Sequence, residues 1–137
     1  MSRAFERKII YAAGGWQIFT GLITVFIYSL YIKQQGAGLE NLDIVQQKGI
    51  QSYFDSLFSF AVTYGIFFVL VGVLNIIFAK KLLKDNTLQV KIPIYLICLA
   101  CIFYFLTDFI SLMLCLAAAV IALAKNKPVK VLLADIK

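Results

Sequence analysis

Cys98 and Cys101, spaced as C-x-x-C, and Cys115 further on are the residues of this chain best suited to redox or metal chemistry. In a soluble domain that spacing points to a redox motif or to half of a zinc site. Here the pair lies in an apolar run, the chain has no histidine, and no second pair completes four ligands. Apolar surroundings quiet a thiol. The three cysteines are therefore read as small buried packing residues, with no disulfide, metal or cofactor. The other candidates are polar residues inside or beside apolar runs, which in membranes are functional by default: Gln17, Asn75 and Asp108. None is a charge in the middle of a run. The first apolar run holds no carboxylate that could exchange protons for cations, since Glu6 precedes it, and this argues against proton-coupled transport. Gln17 and Asn75 are read as interhelical hydrogen-bonding residues, worth about 0.6 kcal/mol each on average. Asp108 is read as a turn residue. No paired carboxylates, nucleophile–base set or metal cluster is visible, so no catalytic, cofactor-binding or metal residue is assigned.

The elements that must position these residues follow from composition. Of 137 residues, 62% are hydrophobic and 15% charged, and the mean hydropathy is +0.90. Soluble domains are about 45–50% apolar and about 25% charged, and disorder needs low hydrophobicity. Ile9–Ile32 and Leu57–Ala79 carry no charge. Each exceeds the roughly 20 residues that cross a hydrocarbon core, and unpaired backbone groups are too costly in lipid for anything but a helix. The first run is also longer than the about 7–15 apolar residues of a secretory signal, so it is read as a retained helix.

Ile92–Ala124 is broken only by Asp108. As one helix it would be about 50 Å long, well beyond a core of about 30 Å. It is read as two short helices, about 90–106 and 109–124, in a hairpin turning at Thr107 and Asp108. Asp108 is the expected N-cap. Pro93 falls in a first turn, where its missing N–H costs nothing, and Lys91 can snorkel to the interface as the helix extends toward Leu88. The fold expected is all-α, an integral membrane four-helix bundle in one domain spanning 1–137, with spans at about 9–32, 57–79, 90–106 and 109–124.

Charge selects four spans over three. Arg3, Arg7 and Lys8 precede the first span, Lys80, Lys81, Lys84 and Lys91 follow the second, and Lys125, Lys127, Lys130 and Lys137 form the tail. Lys33 and Lys48 alone lie in the loop 33–55. With four spans, eleven basic residues face the cytoplasm and two face outward, as the positive-inside rule requires, and both termini are cytoplasmic. Glu40, Asp43, Asp55 and Asp108 then face outward. In the outer loop Leu39, Leu42, Val45, Ile50, Tyr53 and Phe54 recur at roughly helical spacing, which fits a short helix on the outer surface or, alternatively, a partner-binding surface. The tail 125–137 mixes its lysines with Val129, Val131, Leu132, Leu133 and Ile136, a pattern able to lie on an anionic inner leaflet. The net charge of +6 is a topology signal and does not call for nucleic acid.

Small residues mark where helices meet, since membrane helices pack by close backbone approach. Ala61, Gly65, Gly72 and Ala79 share one stripe of the second span, bordered by Asn75 and interrupted by Phe68. Ser111, Cys115, Ala118 and Ala122 do so in the fourth, and Gly14 and Gly21 are seven apart in the first. Packing within the chain is expected, with homo-oligomerisation as the alternative. Trp16 and several tyrosines are placed near span ends, as interfacial anchors.

The start Ser2-Arg-Ala-Phe-Glu-Arg7, the segment Gly72-Val-Leu-Asn-Ile-Ile-Phe, then Leu82-Leu-Lys-Asp-Asn, an apolar hairpin, and Ala118-Ala-Val-Ile-Ala-Leu-Ala-Lys-Asn-Lys-Pro128 resemble a Firmicutes family of short four-helix membrane proteins, catalogued only as a domain of unknown function. Where that family has glycines in its last helix, this chain has alanines and a cysteine. The resemblance implies a bacterial plasma membrane and four helices, and supplies no activity and no site residues. The expected function is that of a non-enzymatic membrane protein acting through helix or loop contacts with a membrane-protein partner, as an accessory subunit, toxin-immunity or envelope-stress protein. A small oligomeric pore or transporter is the alternative.

Overall fold

The computed structural model describes residues 3–37, 44–85 and 87–134, with the backbone alone at 36, 37, 132 and 133. The described residues are mostly helical and contain no strand. Helix α1 (Ala4–Ile23) passes through a π-helical turn (Thr24–Tyr28) into α2 (Ser29–Ala37), and α3 (Ile44–Lys81), α4 (Lys91–Phe105), α5 (Phe109–Ala124) and α6 (Asn126–Ala134) follow. Three stretches, Ala4–Gln35, Ile44–Lys81 and Phe109–Val131, are long and apolar enough to cross a membrane, and Lys91–Phe105 is a shorter apolar helix. The chain forms two compact units, one made of the residues up to Trp16 and from Gly72 onward, the other of Gln17–Val71.

In the unit Gln17–Val71, the π turn has a local cause. The Thr24 hydroxyl donates to the Thr20 carbonyl at 2.9 Å and the Ser29 hydroxyl to that of Val25. Hydroxyls that bond back to carbonyls four residues earlier bend helices, and here the Ser29 N–H reaches the Thr24 carbonyl, five residues back. The part of the expected outer loop that the structure describes is helical. Ser29–Ala37 continues the first span, and α3 begins at Ile44 and runs without a break through Leu57. Between Ile44 and Leu57 there is no proline and one glycine, Gly49, so nothing there stops a helix once the span has nucleated it. Leu39, Glu40, Leu42 and Asp43 lie outside the described residues.

In the other unit, α4 and α5 form the hairpin. Ile92, Leu96, Leu99 and Phe103 are buried on α4, and Ser111, Cys115, Ala118 and Ala122 on α5, so bulky side chains of one helix meet small ones of the other. The turn closes with the Thr107 N–H on the Tyr104 carbonyl and the Asp108 N–H on the Phe103 carbonyl at 3.1 Å, the pair of bonds that usually ends a helix on glycine. Here Thr107 occupies the left-handed position, with φ 58°, which costs a β-branched residue about 1–2 kcal/mol. Helix α4 starts at Lys91 and does not extend back to Leu88, because Asp85, Thr87 and Gln89 are engaged with Arg3 and Asn126. Trp16, placed near a span end by the sequence, sits well inside α1.

Candidate functional site

The densest polar chemistry lies where the N-terminus meets the segment after α3 and the α5–α6 junction. Arg3 and Glu6 are both 0% exposed. Their side chains pair one helical turn apart, Nη1 to Oε2 at 3.1 Å. Arg3 Nη2 donates to the Thr87 carbonyl at 2.9 Å and to Asn126 Oδ1 at 2.7 Å. Glu6 Oε1 takes Lys125 Nζ at 3.2 Å. Asn126 is itself fixed by the backbone of Gln89, accepting from its N–H and donating to its carbonyl at 2.7 Å. An arginine and a glutamate removed from water are tolerable only with such mutual pairing and extra hydrogen bonds. The network thus ties the first turn of α1 to residues 87–89 and to the start of α6.

A second, more exposed contact flanks it. Asp85 accepts from the Arg3 backbone N–H at 2.7 Å and meets the Arg7 guanidinium at 3.4 Å. The Arg3 N–H bond, with the Arg7 cation beside it, outweighs desolvation and holds the Asp85 carboxyl below its ordinary value. Whatever this contact adds to stability is present at neutral pH and fades as the pH falls through that lowered value.

Sequence reasoning missed this cluster. Arg3, Arg7 and Lys125 entered it only as topology charges, yet Arg3 is buried. The available signal was Glu6, the one acidic residue in a basic lead-in, three positions from Arg3, together with Asn126 just past an uncharged span.

The structure distributes the sequence candidates as follows. Gly14 packs on α3, where a Cβ would stand 2.8 Å from the Gly72 carbonyl oxygen and 2.8 Å from Ile76. In the other unit, a Cβ at Gly21 would meet the Gly65 carbonyl oxygen at 2.6 Å, and one at Gly65 would meet the Gly21 carbonyl oxygen at 2.7 Å. Ala61, Phe68 and Val71 are buried in that same unit, and Gly72, Asn75 and Ala79 in the first. Phe68 does not break the buried face of α3, since it is itself 0% exposed. Gln17 is equally buried. Ala118 and Ala122 sit in the α4–α5 contact face. The reading of three buried cysteines needs correction. Cys115 is buried, but Cys98 and Cys101 are exposed, because they lie off the α4 face that carries Leu96, Leu99 and Phe103. Among the described residues no group of three or more His, Cys, Asp or Glu comes together as a metal site.

Asp108 caps α5. Its carboxylate accepts from the Ser111 N–H at 3.1 Å and from the Ser111 hydroxyl at 2.6 Å. Asp108→Ala is expected to cost about 1 kcal/mol, within the usual range for a lost N-cap, measured by thermal unfolding in detergent. Asp108→Asn, whose amide oxygen can still cap, should lose much less. Equal losses in both variants would show that the charge, and not the cap, matters.

Compared with family models, curated proteins and solved structures, the chain matches none.

Proposed function

We propose that this chain is a small non-enzymatic integral membrane protein of a bacterial plasma membrane, with four spans in one helical bundle, both ends cytoplasmic, and a role exerted through helix or loop contacts with a membrane partner. The resemblance to the Firmicutes family supplies the choice of membrane. The observation that carries the reading is how the polar and apolar groups are used. The buried charges Arg3 and Glu6 bind each other, the partly exposed Lys125, and the Thr87 carbonyl and Asn126 of the same chain. The helix faces, in contrast, present large apolar residues such as Phe26, Ile27, Leu70, Ile94, Phe105, Met113 and Val120 outward, the surface that lipid or a helical partner covers. Helix α4 is about 22 Å long and completes a crossing with Lys91 snorkelling at one end.

Fusions of green fluorescent protein and of alkaline phosphatase after Lys137 and within the loop 33–55 test the topology. The C-terminal fusion should be fluorescent and phosphatase-inactive, and the loop fusion phosphatase-active. A phosphatase-active C-terminus would replace four spans with three. Mass measured in mild detergent tests the role. A single copy, or one copy with another protein in fixed ratio, fits an accessory protein, whereas a closed homo-oligomer would move the chain to the pore class.

A further inference from the structure

In the unit Gln17–Val71 the two helices touch at Gly21 and Gly65, where side chains are absent, and then part. Beyond that contact the π turn re-aims the first span, and a groove of about 450 Å³ opens between Ile23, Thr24, Tyr28 and Ile32 on one side and Leu57, Phe60, Ala61 and Tyr64 on the other. This size falls among ligand pockets, which run from about 300 to 1,000 Å³. The lining is apolar apart from the hydroxyls of Thr24, Tyr28 and Tyr64. The Thr24 hydroxyl is already spent on the Thr20 carbonyl. One end of the groove carries a positive charge. Lys33, next to Ile32, holds its ammonium 5.9 Å from the centre of the Phe58 ring, next to Leu57. Among the described residues no ion pair joins Asp55 to Lys33, and Asp55 lines a separate surface of α3 with Lys48.

We propose that this groove is a binding site for one anionic phospholipid of the bilayer, an acyl chain lying between the two helices and the phosphate at Lys33. The occupant follows from the two chemistries that the groove joins. A slot open along its side to hydrocarbon takes a chain from the surrounding lipid without bringing it through water. A lysine held at the interfacial end selects a negative headgroup, because an ammonium near a membrane surface favours anionic lipid. Tyr28 and Tyr64 add amphipathic rings of the kind enriched near headgroups. The π turn fits this use, as such turns occur frequently at functional sites. The inference rests on the bilayer placement proposed above.

Native mass spectrometry of the full chain, extracted into dodecyl maltoside and supplied with equal phosphatidylglycerol and phosphatidylcholine, tests the site. The wild-type chain should retain one phosphatidylglycerol, preferred about fivefold over phosphatidylcholine, the factor that one lysine contributes near an anionic surface. Lys33→Gln should abolish the preference and leave helicity unchanged by circular dichroism, and Lys33→Arg should keep it. Ala61→Phe, which fills the slot, should lose both lipids. Equal retention of the two lipids by the wild-type chain overturns the proposal, as does a preference that survives Lys33→Gln. A dimer that Ala61→Phe dissociates, with no retained lipid, gives the groove to a second copy of the chain and overturns it as well. A chain that stays monodisperse without detergent would instead defeat the bilayer placement, which separates the two failures.

Discussion

Arg3→Ala is expected to lower folding stability by about 3–5 kcal/mol, the cost of breaking a buried ion pair from one side. The guanidinium is wholly buried and joins three groups far apart in the chain: Glu6, the Thr87 carbonyl and Asn126 Oδ1. Its loss leaves the buried Glu6 carboxylate with Lys125 alone and strips a partner from each acceptor. Glu6→Gln should be comparably harmful, because two cations, Arg3 and Lys125, then lose their counter-charge. Combined with Arg3→Ala, it should cost less than the sum of the single changes, by about 0.5–3 kcal/mol, as expected for residues in one network. Arg7→Ala is the control. Its partner Asp85 is 44% exposed, and ion pairs open to solvent contribute little, so this variant should unfold close to the wild type. Thermal and denaturant unfolding in dodecyl maltoside, followed by circular dichroism, read all four. If Arg3→Ala costs under about 1 kcal/mol, the ceiling for solvated pairs, then the N-terminal segment is not held by this network.

The contrast between Arg3 and Asp108 shows what the sequence carried and what it did not. A cap is local. An aspartate ahead of an apolar run, with a serine three residues on, contains both partners of its hydrogen bonds, so the α4–α5 turn is legible from Thr107 to Ser111. The Arg3 network joins residues more than eighty positions apart, and no periodicity links Arg3 to Thr87 or Asn126. Each of its charges also has a sufficient explanation in the positive-inside rule. The start of α3 was hidden for a different reason. The helical spacing of Val45, Ile50, Tyr53 and Phe54 fits a short surface helix, but the helix formed by the apolar residues after Leu57 extends into residues 44–56 without a break, since propagation is far cheaper than nucleation. The exposed flank of Cys98 and Cys101 was hidden because α4 is apolar all round, so that hydropathy alone does not say which face turns inward. The glycines stand between these cases. Their seven-residue spacing in both helices is visible in the sequence, but which glycine faces which needs the antiparallel register.

That register gives the second large effect, and one with a built-in control. Gly21→Ala should destabilise the chain, although alanine is the better helix former by about 1 kcal/mol. The reason is that the new Cβ would stand 2.6 Å from the Gly65 carbonyl oxygen and 3.0 Å from the Val69 nitrogen. Both are backbone atoms, which cannot turn aside as a side-chain end can, so α1 and α3 must separate. Overpacking of this kind costs about 1–3 kcal/mol, and the lost close approach is itself much of what holds membrane helices together. The clash therefore outweighs the propensity gain, and Gly21→Leu or Gly65→Leu should fall at or above the top of that range. Gly15 lies on the same helix with nothing within 4 Å of its would-be Cβ. There the propensity term acts alone, and Gly15→Ala should stabilise by about 0.5–1 kcal/mol. Opposite signs for the same substitution six residues apart are the result to look for in thermal unfolding. If Gly21→Ala and Gly15→Ala both stabilise, the glycine contact is not formed. If Gly21→Leu keeps full stability but dissociates an oligomer, the contact lies between chains, and the pore reading moves ahead of the accessory one.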